Sequence, residues 1–330
     1  MFTKILSTAF VIGLTATAAM AEFPEREIQG IIQWGAGGST DSVMRSVTPH
    51  AEAALGGSIV MQNVTGGVGA IALNQVSTAK ADGYTVLMGA ENPLLYKVMG
   101  FGEKDYFDFT PIMLLGRGTP ILVAGIDAPF DTYPEMIAYI AENPDEVRFG
   151  SHGPGGLSSV IYGMMQAEEE LPVILIPYDG DGPALTALQG KAIDVMAVVQ
   201  GAAIEGIRAG TMKPIVLFDT EQSETLPDVP TITSTNPEFE TFLPWGPFFG
   251  IFAPNGTPDD VVGTLRAAYA QAVQAPDFVD LMHNRGFSIM GTTGQEAVDF
   301  LTNWQRNTAW LMHDAGVTKY SPEDFGITRP

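Results

Sequence analysis

Two glycine-rich loops, one in each half of the chain, constrain its fold more than any other feature. The first glycine loop (residues 35–41, GAGGSTD) follows an apolar strand pattern at 27–34 and precedes a helix predicted over 42–55. The second glycine loop (residues 151–156, SHGPGG) follows a short strand pattern at 148–150 in the same way. Glycine lets a backbone turn tightly where a strand gives way to a helix. The repeated unit predicts an α/β fold with mainly parallel sheets flanked by helices.

The alternation of strand and helix patterns continues along the chain and predicts two similar α/β units. The other predicted strands cover 58–63, 84–89, 112–125, 173–178, 194–199, 213–218 and 245–253, and the other predicted helices cover 70–80, 133–142, 157–169, 183–189, 203–209, 258–274 and 294–314. A chain of 330 residues usually forms about two domains. We predict one lobe from residues 22–122 and 245–330, a second lobe from 123–244, and a hinge at the two crossovers near Val123 and Pro244.

The first 21 residues have the pattern of a cleavable signal peptide. Lys4 supplies a positive charge, residues 5–18 are apolar, and Ala19-Met20-Ala21 fits the small-x-small pattern of a cleavage site. The apolar run is shorter than a comfortable membrane span. We therefore predict cleavage after Ala21, export to the periplasm, and no stable membrane insertion of the mature chain.

Charge and composition exclude several functions. The formal net charge of −22 disfavours binding to nucleic acid and to anionic membranes. The chain has no cysteine and its four histidines are scattered, so we predict no thiolate nucleophile, no metal site and no cofactor. Such an acidic surface also repels anionic ligands at long range. Any site for an anion must therefore be local and made of oriented dipoles.

Each glycine loop is placed to bind an anion. The first N–H groups of a helix have no acceptor within the helix and carry a partial positive charge, which suits a carboxylate or a phosphate. In the first loop, Ser39 and Thr40 can donate from their hydroxyls. Asp41 can cap the helix, accept from a ligand amine or hydroxyl, or orient a water. Trp34 either stacks on the ligand or belongs to the core, and Arg45 is expected to pair with a carboxylate of the protein.

The second glycine loop offers a comparable set of donors. The predicted ligand contacts here are Ser151, the backbone of Gly153 and Gly155, and Ser158. His152 is either a further ligand contact or a loop histidine without such a role. The two loops together predict two half-sites that face each other across a cleft.

Catalysis is the weaker interpretation of these loops. A hydrolase would use Ser39 or Ser151 as its nucleophile, but the chain lacks the G-x-S-x-G elbow and any Ser-His-Asp pattern. The first loop also lacks the lysine of a nucleotide P-loop and the third glycine of a dinucleotide-binding loop. The sequence therefore predicts a binding protein without catalytic residues.

Seven short segments carry a family resemblance and occur in order along nearly the whole predicted mature chain. They are IQWGAGGSTD at 32–41 with Arg45, NVTGGVG at 63–69, ADGYT at 81–85, FGS at 149–151, PYDG at 177–180, LPDVPT at 226–231 and WGPFFGIFAPNGTP at 245–258. Together they resemble the Bug, or tripartite tricarboxylate transporter, family of solute-binding receptors.

The resemblance implies a two-lobe periplasmic binding protein of the type II-like fold, which closes on its ligand and delivers it to a permease with two integral membrane subunits. Family ligands are di- and tricarboxylates, acidic amino acids and aromatic acids, held by backbone groups, hydroxyls and ordered waters. We also predict a monomer. The predicted ligand-binding residues are Trp34, Ala36, Gly37, Gly38, Ser39, Thr40, Asp41, Asn63, Ala90, Ser151, Gly153, Gly155, Ser158, Tyr178, Asp179, Asp194 and Trp245, with Arg117 as a further candidate for the cleft.

One position departs from the family pattern. The family often has a basic residue where this chain has Asp179, and Asp181 lies nearby. A mono- or dicarboxylate, or a ligand that carries an amine, therefore fits better than a polyanion such as citrate. The alternative to transport is a ligand sensor that presents its closed form to a signalling partner.

Overall fold

Two β-sheets flanked by helices organise the chain in the computed structural model, which describes residues 23–330. The predicted signal peptide, residues 1–21, lies outside the described residues. Within 23–330, no helix is both long enough and apolar enough to cross a membrane. The predicted α/β fold class is confirmed.

Strands and helices alternate along most of the chain, as predicted. The strands are β1 Ile28–Ile32, β2 Ile59–Asn63, β3 Thr85–Ala90, β4 Phe109–Arg117, β5 Pro120–Gly125, β6 Arg148–Ser151, β7 Ile174–Pro177, β8 Val195–Val199, β9 Met212–Leu217, β10 Phe248–Pro254 and β11 Ser288–Thr292. The helices are α1 Ser39–Leu55, α2 Ala70–Ser77, α3 Tyr96–Met99, α4 Tyr133–Glu142, α5 Leu157–Glu168, α6 Asp181–Gln189, α7 Gln200–Arg208, α8 Ile232–Thr235, α9 Asp259–Ala272, α10 Pro276–Asn284 and α11 Gly294–Asp314.

The first sheet contains strands from both ends of the chain, in the order β11-β4-β10-β3-β1-β2. Strand β1 pairs in parallel with β2 and β3, whereas β10 is antiparallel to both of its neighbours, β3 and β4. All seven residues of β10 are buried. That pattern is typical of a strand covered on both faces.

The second sheet has the order β7-β6-β8-β5-β9. Strand β6 pairs in parallel with β7 and β8, and β5 is antiparallel to β8 and β9. The chain enters the second sheet at β5 and returns to the first sheet at β10. Each of these two strands is antiparallel to both of its neighbours. The remaining parallel strands bring several carboxyl ends to one edge of each sheet, where ligands bind in open α/β folds.

The long apolar segment at 112–125 forms two strands in two sheets, so the single strand region predicted there is wrong. Strand β4 ends at Arg117 and β5 begins at Pro120. Gly118, between them, donates its N–H to the carbonyl of Pro247 at 3.0 Å, so the outgoing and returning crossovers lie side by side. Because β4 and β5 are both largely buried, apolar content does not reveal the break. The second sheet begins slightly before the predicted lobe boundary.

Two C-terminal elements were not predicted, α10 and β11. Strand β11 lies at the edge of the first sheet and its first two residues, Ser288 and Ile289, are exposed. An edge strand of this kind has no clear alternation of apolar and polar residues to reveal it. Helix α11, by contrast, begins at Gly294 and ends at Asp314, as its apolar spacing predicts.

Helix α11 supports the returning crossover through two tryptophans. Trp304 Nε1 donates to the carbonyl of Gly246 at 2.9 Å, and Trp245 Nε1 donates to Thr308 Oγ1 at 3.0 Å. The centres of the Trp245 and Trp304 rings are 5.8 Å apart. Trp245 therefore belongs to the packing around the crossover.

Candidate ligand-binding site

A small cavity lies between the two sheets, at the carboxyl ends of β1, β3, β6 and β8. Its cavity volume is about 30 Å³, well below the range for small-molecule sites, because the two loops pack closely over it in this arrangement. Its lining consists of Trp34, Gly38, Ser39, Thr40, Ala90, Glu91, His152, Leu157, Gly180, Asp181, Val199, Pro247 and Phe249. Both glycine loops thus reach the same cavity, together with residues 179–182, called the DGDG segment below.

Four helices begin at this cavity. Gly38 precedes α1, Leu157 begins α5, Gly180 precedes α6 and Val199 precedes α7. None of the four N-cap residues caps its helix with its own side chain, although His152 Nδ1 accepts from the N–H of Ser158 in α5 and the carbonyl of Thr119 accepts from the N–H of Gln200 in α7. Since the first N–H groups of a helix lack acceptors within the helix, these ends supply donors and partial positive charge around the cavity.

Helix α1 begins three residues earlier than predicted, at Ser39. Ser39, Thr40 and Asp41 therefore lie in its first turn, and Gly38 takes the N-cap position without a side chain that could cap it. Ser39 is 2% exposed and its Oγ has no hydrogen-bond partner in the described protein. A buried hydroxyl in this position is available to a ligand in the cavity.

The first glycine loop contacts the DGDG segment directly. Gly35 donates its N–H to the carbonyl of Asp179 at 2.9 Å. A Cβ atom on Gly182 would lie 2.3 Å from the carbonyl oxygen of Ala36. The elements carried by the two sheets therefore touch over the cavity, and Trp34 is only 7% exposed.

Asp41 organises the first glycine loop. Its Oδ2 accepts from the N–H of Gly37 at 3.0 Å, and its Oδ1 accepts from Arg45 Nε at 2.8 Å and from Asn63 Nδ2 at 2.9 Å. The same Asn63 nitrogen also donates to the carbonyl of Trp34 at 2.8 Å. Arg45 thus pairs with a carboxylate of the protein, as predicted, and Asn63 holds the loop backbone.

Asp41→Ala is expected to weaken ligand binding about tenfold, because hydrogen bonds to a charged group are worth about 1.5–3 kcal/mol and three of them are lost. Asp41→Asn keeps an acceptor for Gly37 and should lose less affinity. Isothermal titration calorimetry on the two variants measures the difference. Equal affinity of Asp41→Ala and the wild type would show that the loop keeps its shape without this carboxylate.

The hydroxyls of the second glycine loop are occupied by the loop itself. Ser151 Oγ accepts from the N–H of Gly153 at 3.0 Å, and Ser158 Oγ accepts from the N–H of His152. Gly153 and Gly155 have φ angles of +81° and +82°, a conformation that glycine adopts without strain. These residues shape the loop behind the cavity lining.

His152 brings the second glycine loop to the cavity. Its Nδ1 accepts from the N–H of Ser158 at 3.4 Å, which places the ring proton on Nε2. That Nε2 faces Asp181 Oδ1 at 3.2 Å, and the ring lies 5.7 Å from the ring of Trp34. Of the two alternatives that the sequence leaves open for His152, the structure thus favours a position against the ligand space.

Glu91 is the most informative cavity residue that the sequence analysis missed. It follows Ala90 at the carboxyl end of β3, and it is 2% exposed. Burial, and to a smaller extent the negative charge of Asp181, raise the pKa of Glu91 to about 8, although its own backbone N–H acts in the opposite direction. An acidic residue directly after a buried strand, at a sheet edge where ligands bind, was the available signal.

The structure brings part of the predicted set to the cavity, namely Trp34, Gly38, Ser39, Thr40 and Ala90. Other members lie behind the lining, in the loops or beside them: Ala36, Gly37, Asp41, Asn63, Ser151, Gly153, Gly155, Ser158, Tyr178 and Asp179. Three residues lie elsewhere. Trp245 and Arg117 line a separate groove beside α11. Asp194 precedes β8, whereas the cavity lies at the opposite end of that strand, beyond Val199.

Asp194 forms an ion pair in place of a ligand contact. Its carboxylate accepts from the Nη2, the Nε and the backbone N–H of Arg148 at 2.6, 2.9 and 2.8 Å. Burial opposes ionisation of Asp194, but the three donors of Arg148 outweigh it and hold the pKa of this carboxyl below its usual value. The pair ties β6 to β8 at the edge remote from the cavity.

Asp194→Asn is expected to leave ligand affinity unchanged and to lower the free energy of unfolding by about 1 kcal/mol. Because the folded pKa is depressed, the ion pair stabilises the wild type above about pH 4 and its contribution is lost as the pH falls through the folded value. The difference in melting temperature between the two proteins should therefore shrink below pH 4. A tenfold loss of ligand affinity would show that Asp194 contributes to ligand binding.

The arrangement contains no activated nucleophile. Ser39 Oγ has no hydrogen-bond partner among residues 23–330, and the ring nitrogens of His152 face a backbone N–H and a carboxylate. A serine nucleophile needs a base within hydrogen-bond reach. In the same part of the chain, no group of three or more acidic or histidine side chains is placed to hold a metal ion. The geometry is that of a binding site.

Two β-sheets flanked by helices, joined by paired crossovers and with a cavity between them, define the class of solute-binding receptors. Residues 43–317 match the family model described as the tripartite tricarboxylate transporter family receptor. The chain belongs to this family, so the family membership predicted from its segments is confirmed.

Individual relatives agree with this assignment. A UPF0065 protein of Bordetella pertussis is 29% identical over 310 residues, which cover 92% of this chain and 94% of that protein. The structure of the periplasmic binding protein BugD is 27% identical, with a TM-score of 0.83 over 90% of this chain and 99% of that one. The structure of MatC from Rhodopseudomonas palustris with bound malate is 26% identical, with a TM-score of 0.81 over 89% of this chain and 100% of that one. The family and its structural neighbours are receptors, not enzymes.

Proposed function

We propose that this receptor acts as a monomer in the periplasm, where it captures a small carboxylate between two lobes and delivers it to a permease with two integral membrane subunits. The observation that carries the proposal is the meeting of four helix N-termini at one buried cavity. Backbone donors of this kind bind anions without a cationic side chain. The related MatC holds malate, a small carboxylate.

The first turn of α1 supplies the principal contacts of the proposed carboxylate site. The backbone N–H groups at Ser39 and Thr40 and the two hydroxyls are donors, and the Ser39 hydroxyl has no competing partner in the described protein. Trp34 and Phe249 add apolar cover, which excludes bulk water and strengthens these hydrogen bonds. Ordered waters can complete the coordination of the ligand at little cost in free energy.

Capture requires the two lobes to move apart and close again about the paired crossovers. Within residues 23–330, two stretches of chain, at Gly118-Thr119 and before β10, join the two sheets. Such a pair of connections suits a hinge. The contact between Gly35 and Asp179 then belongs to the closed form.

The binding part of the proposal is tested with the mature chain and a panel of mono-, di- and tricarboxylates, aromatic acids and amino acids. We expect at least one of them to raise the melting temperature, since a ligand at 100 times its Kd stabilises by about 2.7 kcal/mol. Calorimetry then gives the affinity, and mass spectrometry of protein purified under native conditions identifies any ligand that is carried along. If no carboxylate stabilises the chain and none is carried along, the proposal fails.

The delivery part needs a cellular measurement. Cells that lack the receptor should take up the identified ligand more slowly, and the intact chain should restore uptake. The mature N-terminus in the periplasmic fraction should begin at Glu22. Normal uptake without the receptor, together with a changed transcriptional response to the ligand, would favour a sensor instead.

A further inference from the structure

The cavity contains a buried carboxyl group that the protein itself does not neutralise. Glu91 is 2% exposed, lines the cavity, and makes no ion pair or side-chain hydrogen bond with another residue in the described part of the chain. Buried acidic side chains are normally paired, because an isolated buried charge is costly. The side chain of Glu91 is therefore placed to meet a group that the ligand provides.

A second carboxyl group lines the same cavity. Asp181 is 7% exposed, and its one ion-pair partner among residues 23–330 is His152, whose Nε2 lies 3.2 Å from Asp181 Oδ1. No lysine or arginine is among the described residues that line the cavity. A dicarboxylate would place its second negative charge beside Asp181 and would oppose ionisation of Glu91, and the imidazole of His152 is the one basic side chain in the described lining. The chemistry of the lining therefore disfavours a second carboxylate on the ligand.

An independent feature indicates where a single carboxylate binds. The Oγ of Ser39 is buried without a partner at the uncapped start of α1, so it offers a donor that neither acidic residue can replace. Donors on α1 and acceptors at Glu91 and Asp181 give the cavity two chemically distinct parts. A ligand that satisfies both carries one anionic group and one cationic group.

We propose that Glu91 and Asp181 form an ammonium-binding subsite, which makes this receptor selective for a small zwitterion with one carboxylate and one protonated amine. The inference rests on the proposed function, since it assigns the second half of the same ligand. Glu91 is then a specificity-determining residue.

Protonation gives this subsite a distinctive signature. Asp181 from α6 acts electrostatically on Glu91, and Glu91 acts in the same way on the buried hydroxyls of Tyr96 and Tyr106. His152, from the second glycine loop, lines the same cavity and pairs with Asp181. With a pKa of about 8, Glu91 is mostly protonated at pH 7 when the cavity holds no ligand. An ammonium group favours the ionised form, so its binding releases a proton and tightens as the pH rises towards 8. A plain carboxylate has the opposite pH dependence.

The test compares pairs of ligands that share a carbon skeleton, each pair consisting of an amino acid and its amine-free acid, together with succinate as a dicarboxylate. Calorimetry at pH 7 in two buffers of different ionisation enthalpy measures affinity and proton release for the wild type, Glu91→Gln and Asp181→Asn. Glu296→Gln, on the exposed face of α11, is the matched control. Melting temperatures without ligand check that each variant is folded.

For the wild type and Glu296→Gln, we expect the amine-bearing member of the bound pair to bind at least tenfold tighter than its partner, with release of a proton. In Glu91→Gln, the preference for the amine-bearing ligand should fall about tenfold, and binding should no longer release a proton. In Asp181→Asn, the preference should fall by a smaller factor. Tighter binding of succinate or of the amine-free acid by the wild type would overturn the subsite while the receptor function stands. If no acid or amino acid binds the wild type, the proposed function itself fails.

Discussion

Gly182→Ala is expected to lower ligand affinity about 100-fold without preventing the chain from folding. The added Cβ would lie 2.3 Å from the carbonyl oxygen of Ala36 and 3.0 Å from the N of Gly38, both backbone atoms of the first glycine loop. Backbone atoms cannot turn aside as a flexible side chain can, and overpacking typically costs about 1–3 kcal/mol. Since about 2.7 kcal/mol corresponds to 100-fold in affinity, the upper part of that range gives the expected loss.

The clash of Gly182→Ala arises only where the first glycine loop meets α6, so it affects the closed arrangement. The alanine itself is not strained, because Gly182 lies in the first turn of α6 and has no positive φ. The melting temperature of the ligand-free variant should stay within about 2 °C of the wild type if the lobes can separate. Gly263→Ala in α9, where a Cβ meets no atom within 4 Å, is the control and should bind normally. A Gly182→Ala protein with wild-type affinity would show that the two loops need not meet for binding.

Asn92→Leu is expected to lower the free energy of unfolding by about 3 kcal/mol, the largest loss of stability expected from a single change near the site. Asn92 is fully buried, accepts from Gln33 Nε2, and donates both to the carbonyl of Val68 and to the hydroxyl of Tyr96. Leucine has a similar size but cannot form these hydrogen bonds. Each buried polar group that loses its partner lowers the free energy of unfolding by about 1–3 kcal/mol.

The same substitution should also weaken ligand binding, because the network holds the backbone beside the cavity. Val68 has a φ of +58°, rare for a branched residue, and Asn92 and Tyr96 both donate to its carbonyl. Val68 packs with Trp34 and Ala90, which line the cavity. Thermal unfolding should show a drop of about 5 °C for a chain of this size. Asn74→Leu, at an exposed position of α2, is the control, and an equal drop there would contradict the network argument.

Features set by local sequence could be predicted. The apolar spacing of α11 gives both of its ends, and the two glycine loops lie where strands end and helices begin, as their composition indicates. Trp34, Ser39 and Thr40 reach the cavity because they lie at the first of these junctions.

Features set by distant contacts could not be predicted in this way. Ser39, Thr40 and Asp41 are all good N-cap residues, yet α1 begins before them, with Gly38 buried against the DGDG segment. The break between β4 and β5 follows from the contact of Gly118 with Pro247, more than 100 residues away. The sequence shows that Glu91 follows a buried strand, but only the meeting of β3 with α6 and the second glycine loop buries it in a cavity beside a second carboxyl group.

The place of β10 in the first sheet also sets the order in which the protein can be completed. Strands β5 to β9 lie within residues 120–217, so the second sheet has all its strands long before synthesis ends. The first sheet cannot join β3 to β4 until β10, at Phe248–Pro254, has been made. Pairings over such long separations form slowly, because the chain must first close a long loop. The half that carries Ser39 and Glu91 is thus finished last.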